Sequence, residues 1–478
     1  MLKKLFKPRN LVIMLVAVGM IVLSTMTPFL KVPKPVVSLA AEPVLHIGGF
    51  TISNALLTAW IVMVVLIIMA WAATRRIPKD LERATNQELV PSGFQNLMEM
   101  VIEALYNISK SIGGSWTPKF FPIVATIFLF VLLSNWLGLL PGFGSSSMKV
   151  LITGGNGFIG SRVVAALVSR GYPVRCLLRP NSRTHRIDGL QWERATGDVR
   201  DLPSLLNAIR GCDAVIHAAS LSSWADLDSP ELDSVVLGGT LNILEAIRNQ
   251  ANPPRLIYVG SAACLGGSST PDRIPDEDAP FELNPTLFRY AALKRQASDS
   301  CLLAWKTAGI PAIVVHPAET YGPGDDSHVT ASTLIDFAKG AFTFVCPGGT
   351  SVVHVDDVAE AIVLALKKGT PGQSYFLGGD NLSIREMAKT AHRVLGRDRP
   401  VLCIPTPFFR SVIAIMGILP GQWARQNRTK YRYANHFWFY SNTRARNELG
   451  ATFRSAEATF RDTYDWLATR CEDPFQAK

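Results

Sequence analysis

No cysteine occurs in the first 147 residues; all seven, Cys176, Cys212, Cys264, Cys301, Cys346, Cys403 and Cys471, follow Met148. Their number is odd and no two form a Cys-x-x-Cys pair. The sequence therefore offers no disulfide framework and no metal cluster, and the cysteines read as reduced, structural thiols of a cytosolic protein. Charge is missing elsewhere. Residues 11–30, 55–73 and 120–140 are apolar runs without one Asp, Glu, Lys or Arg, so a membrane segment built from them has no group to carry protons. Beyond residue 140 such runs all but vanish, and the averages of 48% hydrophobic residues and net charge +10 blend two unlike stretches. Long repeats, low-complexity tracts and nucleic-acid motifs are also lacking. The Lys and Arg residues are dispersed, so no nucleic-acid partner is expected; a membrane surface or a phosphorylated cofactor accounts for the basic balance.

At 478 residues the chain exceeds one core, since single cores stop growing near ~250–300 residues. Two parts are expected, 1–147 and 148–478. Each apolar run in the first part has about the 20 residues that cross ~30 Å of hydrocarbon, which gives three spans of an all-α transmembrane segment. The first run follows Lys3, Lys4, Lys7 and Arg9. It reads equally as a signal sequence, with Ser-Leu-Ala-Ala at 38–41 as a cleavage site. Between the later runs, Ser92 is placed to cap a helix bearing Phe94, Leu97, Met98, Val101, Leu105 and Ile108 on one face, with Glu99, Glu103 and Lys110 opposite. Packing against neighbouring helices is its expected use.

The motifs Val90-Pro-Ser-Gly-Phe-Gln-Asn, Phe120-Phe-Pro-Ile-Val and Ser134-Asn-Trp-Leu-Gly-Leu-Leu-Pro-Gly142 make about 45–143 resemble the N-terminal part of the membrane-embedded a subunit of bacterial ATP synthase. The resemblance stops before the later helices whose intramembrane arginine serves that family's proton path. It implies an anchor or a fragment.

After Met148 the design changes. A β-rich run, 149–153, is followed by Gly154-x-x-Gly157-x-x-Gly160 and by a helical pattern in Val163, Val164, Leu167 and Val168. A glycine turn lets the backbone approach a pyrophosphate, and the helix behind it supplies amide donors. A second apolar run, 174–178, ends in Arg179-Pro-Asn-Ser182-Arg183, and no carboxylate lies between Gly160 and Asp188. A 2′-hydroxyl of NAD wants an acid there, whereas Arg179 or Arg183 with Ser182 suits a 2′-phosphate, so NADP(H) is preferred over NAD. Gly197-Asp198-Val199 reads as a strand end facing adenine, and 214–220 as a strand in which His217 is packed rather than catalytic. Ser261 closes a run at 256–261. Tyr290 and Lys294 stand four apart on a helix, where the lysine charge is expected to lower the phenol pKa and fit the tyrosine for proton exchange with a substrate oxygen.

With Tyr321-Gly-Pro-Gly324 and Val353-His-Val-Asp-Asp-Val-Ala-Glu-Ala, this set is similar to the extended short-chain dehydrogenases/reductases, over essentially all of 148–472. The resemblance implies a Rossmann-type doubly wound parallel sheet, with a cofactor core of about 148–320 and a smaller substrate part mainly in 321–478. It implies that Gly154, Gly157 and Gly160 line the pyrophosphate, with amides from Phe158 and Ile159. Asp198 and Val199 would lie by adenine, Ala218 along the cofactor and Pro317 near the nicotinamide. Ser261, Tyr290 and Lys294 would be the catalytic triad, Lys294 also reaching the nicotinamide ribose. Two positions depart from the pattern: Val236 replaces an asparagine and His316 an arginine.

In the substrate part, 408–419 is too short to span a bilayer; a pocket lid, a membrane-surface contact or, by default, a buried helix is expected. The aromatic run 437–440 suits a strand beside an apolar pocket. Arg425, Arg428, Lys430 and Arg432 suit an anionic group or a solvated loop. The function expected is hydride transfer between NADP(H) and a hydroxyl or ketone of a hydrophobic molecule, as in the 3β-hydroxysteroid dehydrogenase and dihydroflavonol reductase branches. The alternatives are a nucleotide-sugar epimerase/dehydratase, an ATP synthase membrane component with an appended domain, and a non-catalytic NADP-binding sensor. The partners are the hydrophobic substrate and, through 1–147, the lipid bilayer of the inner membrane; a homodimer remains open. Three spans from a cytoplasmic start would put Met148 outside, away from NADPH. Either the enzyme is made separately from Met148, or the frame joins two genes artificially, or the third run does not cross.

Overall fold

The computed structural model describes residues 43–47, 50–75, 77, 90–137, 148–221, 223, 227, 229–339 and 341–470. The first apolar run, the 38–41 site and the joint at 144–147 lie outside the described residues. The chain forms two compact units, Met1–Ser147 and Met148–Lys478.

In the first unit, β1 (Pro43–Ile47) pairs antiparallel with β2 (Phe50–Ser53), and α1 (Asn54–Thr74) follows directly. Two short strands thus precede the apolar helices of this segment. Trp60, Met63, Val64, Ile67, Ile68 and Trp71 of α1 are all exposed. A helix apolar on every side has no polar face to turn toward water. α2 (Phe94–Gly113) and, after a tight turn, α3 (Thr117–Leu137) are joined edge to face by Tyr106 and Phe121, their ring centroids 5.0 Å apart. α2 starts from Gly93, at φ 57°, with no side-chain cap, so Ser92 does not cap it. Among the described residues two stretches, Leu57–Thr74 and Phe94–Trp136, are long and apolar enough to cross a membrane.

The second unit is built on a seven-stranded sheet, parallel throughout. Its strands are β3 (Val150–Thr153), β4 (Val174–Leu178), β5 (Glu193–Thr196), β6 (Ala214–His217), β7 (Arg255–Val259), β8 (Ala312–Pro317) and β12 (Ser374–Leu377). The spatial order is β12-β8-β7-β6-β3-β4-β5. β3, β6 and β8 are buried along their whole length, as strands covered on both faces must be, which is why they read as unbroken apolar runs. One face carries α4 (Phe158–Val168) through Val163, Val164 and Leu167. The other carries α5 (Leu202–Ile209), α6 (Gly239–Arg248) and α7 (Arg289–Ala308) through Leu205, Ile243, Ile247 and Cys301.

The chain then leaves the sheet through β9 (Glu319–Tyr321), α8 (Ala331–Ala338), β10 (Thr343–Val345) and β11 (Gly349–His354). It returns with α9 (Val355–Lys368), whose Glu360 pairs with Arg170 just behind α4, and with β12. The sheet therefore takes in one strand from beyond residue 320, and α9 packs on its face. The remainder, β13 (Asn381–Ser383), α10 (Ile384–Val394), β14 (Val401–Cys403), α11 (Thr406–Ile418), α12 (Gln422–Ala434), β15 (Phe437–Trp438) and α13 (Ala456–Arg470), forms a smaller body. Leu334 and Phe337 of α8 pack with Met387, Phe460 and Tyr464 to make its core.

Candidate cofactor and catalytic site

The glycine turn leaves β3 with Gly154 at φ +72°, a conformation that disfavours any side chain. A Cβ there would come within 2.7 Å of the Ala219 amide, and one on Gly160 would stand 2.0 Å from the Gly154 carbonyl oxygen. Backbone packs against backbone at both positions. α4 starts behind Gly157 with no side-chain cap, so the first-turn amides of Phe158, Ile159 and Gly160 lack intrahelical acceptors. A glycine-lined turn with uncapped amides fits a pyrophosphate.

The turn opens into a cleft at the carboxyl edge of β3, β4 and β6. Its lining brings together the expected Gly154, Gly157, Arg179, Ser182, Asp198, Val199 and Ala218. Arg183 is not part of that lining; its backbone carbonyl accepts a hydrogen bond from Asn156 Nδ2 at 3.0 Å. Several lining residues escaped the sequence reading, Asn156, Arg200, Glu231 and Val235 among them. Asn156 lies inside the glycine turn, and Arg200 holds both oxygens of Asp198, Nε to Oδ1 at 3.0 Å and Nη2 to Oδ2 at 2.9 Å. That pair keeps the Asp198 carboxyl below its usual range. The spacing of two residues was its only sequence signal.

Along the same edge, β7 ends at Val259 and delivers Ser261, whose Oγ accepts from the Ala263 amide at 3.3 Å. Pro317 closes β8, the next strand. Tyr290 sits in the first turn of α7, where the Ser261 side chain bears on its ionisation. Lys294, one turn on, is 2% exposed and donates from Nζ to the Val259 carbonyl at 3.1 Å, with the Tyr258 ring 5.2 Å away. Ser261, Tyr290 and Lys294 are thus brought together. The start of α7 is fixed from the C-terminal body: buried Phe288 meets the rings of Tyr433 and His436 at 5.0 Å and of Trp438 at 6.0 Å. Trp438, Phe439 and Tyr440 are buried. They pack the interior instead of forming the expected pocket wall, and only two residues of the run are strand.

The electrostatics correct one expectation. Burial carries the Tyr290 phenol up to about 12, opposed by the Ser261 side chain; the Lys294 charge is not among the causes. The lysine itself is pushed down to about 8 by burial. The phenol therefore stays protonated across the neutral range and is not acidified. Two buried histidines lie nearby, each driven down to about 3 by burial and so uncharged. His217 bridges Thr153 Oγ1 at 2.7 Å and Thr240 Oγ1 at 3.3 Å, a packed role. His316 Nδ1 meets Cys264 Sγ at 3.2 Å, behind the Ser261 turn. Val236 is buried in an apolar cluster with Leu232 and Leu293.

Residues 150–378 match the NAD dependent epimerase/dehydratase family. A sterol demethylase protein B from Methylococcus capsulatus is 30% identical over 332 residues, 68% of this chain and 99% of the relative. The chain belongs to the NAD-dependent epimerase/dehydratase family. As an extended short-chain dehydrogenase/reductase it is an NAD(P)-dependent oxidoreductase. A putative dihydroflavonol 4-reductase from Synechocystis is 26% identical over 70% of this chain and 97% of its own. The fold is shared with UDP-glucose 4-epimerase of Thermus thermophilus in complex with NAD, at TM-score 0.53 and 24% identity, over 68% of this chain and all of that one. Residues 56–167 match the ATP synthase A chain. That match runs into β3, the glycine turn and α4, which the geometry assigns to the nucleotide fold.

Proposed function

We propose that the second unit transfers hydride between NADP(H) and a ketone or hydroxyl of a hydrophobic small molecule, steroid-, terpenoid- or flavonoid-like. The observation that carries this reading is the convergence of Ser261, Tyr290 and Lys294 on the sheet edge that also bears the glycine turn. When bound, the cofactor would supply or accept the hydride. Gly154, Gly157, Phe158, Ile159 and Gly160 would hold its pyrophosphate, and Val199 and Ala218 would flank it. Arg179 and Ser182, both on the cleft wall, would hold a 2′-phosphate, and Pro317 would pack near the nicotinamide. Tyr290 Oη, protonated at neutral pH, donates to the oxygen of a carbonyl being reduced. Ser261 Oγ orients that oxygen, and the Lys294 charge stabilises the negative charge that develops there. The named activities of the sterol and flavonol relatives support a hydrophobic substrate.

Residues 1–147 would anchor the chain in the inner membrane through α1 and α3, and 148–478 would work in the cytoplasm. The M. capsulatus relative is matched over 99% of its length by 68% of this chain. That supports a first unit outside the enzyme's chemistry.

The test is a substrate panel on the full chain in nanodiscs. NADPH-dependent reduction of steroid or flavonoid ketones is expected. A preparation that retains NAD(H) through turnover and interconverts sugar nucleotides, the rival chemistry of this fold, would overturn the proposal.

A further inference from the structure

The C-terminal body carries an apolar surface outside the site just described. β10 and β14 pair in parallel with Phe344 opposite Leu402, and both side chains are exposed. β14 leads through Ile404 and Pro405 into α11, where Phe409 alone is buried. Phe408 and Ile415 point to solvent, Ile418 is 84% exposed, and Leu419 and Trp423 continue the surface toward α12. The buried helix expected for 408–419 is thus corrected. Phe409 meets Tyr431 at 5.6 Å, which holds α12 to α11 as a hairpin.

The charge on this surface has one sign. No Asp or Glu occurs from residue 399 to 447. Arg410 and Arg425 are exposed. Arg428 Nη1 lies 3.4 Å from where a Cβ on Gly417 would stand, so its guanidinium sits beside the apolar tip at Ile418. α11 has 13 residues, too few to cross ~30 Å of hydrocarbon. A tryptophan and aliphatic tips among cations match a helix lying in a lipid headgroup layer. A folded partner would need a complementary relief; an anionic bilayer needs only the apolar tips and the positive charge.

We propose that the α11–α12 hairpin, with the β10–β14 edge that feeds it, seats the second unit on an anionic bilayer surface. Ile418, Phe408 and Trp423 enter the headgroup boundary, and Arg410, Arg425 and Arg428 meet lipid phosphates. The seat does not depend on which reaction the site performs.

The experiment compares the full chain in phosphatidylcholine nanodiscs and in discs containing phosphatidylglycerol. Peptide-resolved hydrogen exchange over 406–434 is expected to slow in the anionic discs. Brominated phosphatidylglycerol should quench fluorescence that is missing in Trp423→Phe. Arg410→Gln with Arg425→Gln should shift docking by roughly 30-fold toward the free state, about 1 kcal/mol per cation. Ile418→Glu, at an exposed tip, is the second variant should the double one melt early. Equal exchange in the two lipids overturns the proposal. So does protection that follows protein concentration or added substrate without anionic lipid, which would assign the face to a second copy or to a pocket lid.

Discussion

Lys294 Nζ donates to the Val259 carbonyl oxygen at 3.1 Å, tying the helix that carries Tyr290 to the strand that ends just before Ser261. The ammonium is buried, and its pKa falls from 10.5 to about 8. The folded state therefore holds this proton more weakly than the unfolded chain does. That cost is present in full below about pH 8 and fades as pH rises toward 10.5. Lys294→Met should raise stability at pH 7 by one to about 3 kcal/mol, less what the lost Val259 bond contributes, while abolishing turnover. Urea melts at pH 7 and pH 10 check this, and the gain over the native chain should shrink at the higher pH.

The same shift sets the pH profile of ketone reduction. Tyr290, at about 12, stays protonated through the working range, so the limiting ionisation is that of Lys294. Reduction should fall as pH rises through about 8, as the lysine charge is lost. A profile level to pH 10 would remove Lys294 from the charge balance. Both kcat and kcat/KM are measured, which separates the ionisation in the complex from that in the free enzyme.

Tyr290→Phe should lower kcat by about 10²–10⁴-fold, the usual worth of a placed proton donor, with cofactor affinity nearly unchanged. Full turnover in this variant would remove Tyr290 from the chemistry. Ser261→Ala removes an orienting hydroxyl but leaves the donor, so its loss should be smaller.

Arg179→Ala should weaken NADP(H) by roughly tenfold to a hundredfold, the value of one or two charge-assisted hydrogen bonds, and leave NAD(H) little changed. Titration of both cofactors by fluorescence checks it. Equal loss for the two would mean that Arg179 does not meet a 2′-phosphate.

Gly160→Ala should abolish cofactor binding and destabilise the second unit, because its Cβ would stand 2.0 Å from the Gly154 carbonyl oxygen. A binding isotherm and a thermal melt read the two effects separately.

The first strands of the parallel sheet were legible as apolar runs set between turn and helix signals, and the second run, 174–178, is β4 residue for residue, whereas β5 (Glu-Arg-Ala-Thr) carries no such pattern. Tyr290 and Lys294 were legible because helical spacing is local. What stayed hidden depends on contacts far apart in sequence. The sign of the Tyr290 shift follows from how deeply α7 is packed, which no spacing reveals. The anchoring of Phe288 by Tyr433, His436 and Trp438 joins residues about 150 positions apart. α11 was expected to be buried because its composition is apolar, but apolarity alone does not say whether protein or lipid is the cover.

The most direct measurement follows a label. The full chain is given NADPH deuterated at the transferring position and a steroid-like ketone, and the product is read by mass spectrometry, in parallel with Tyr290→Phe. The account predicts deuterium on the new carbinol carbon in the native protein and almost none in the variant. Equal deuterium in both, or none in either, would contradict it.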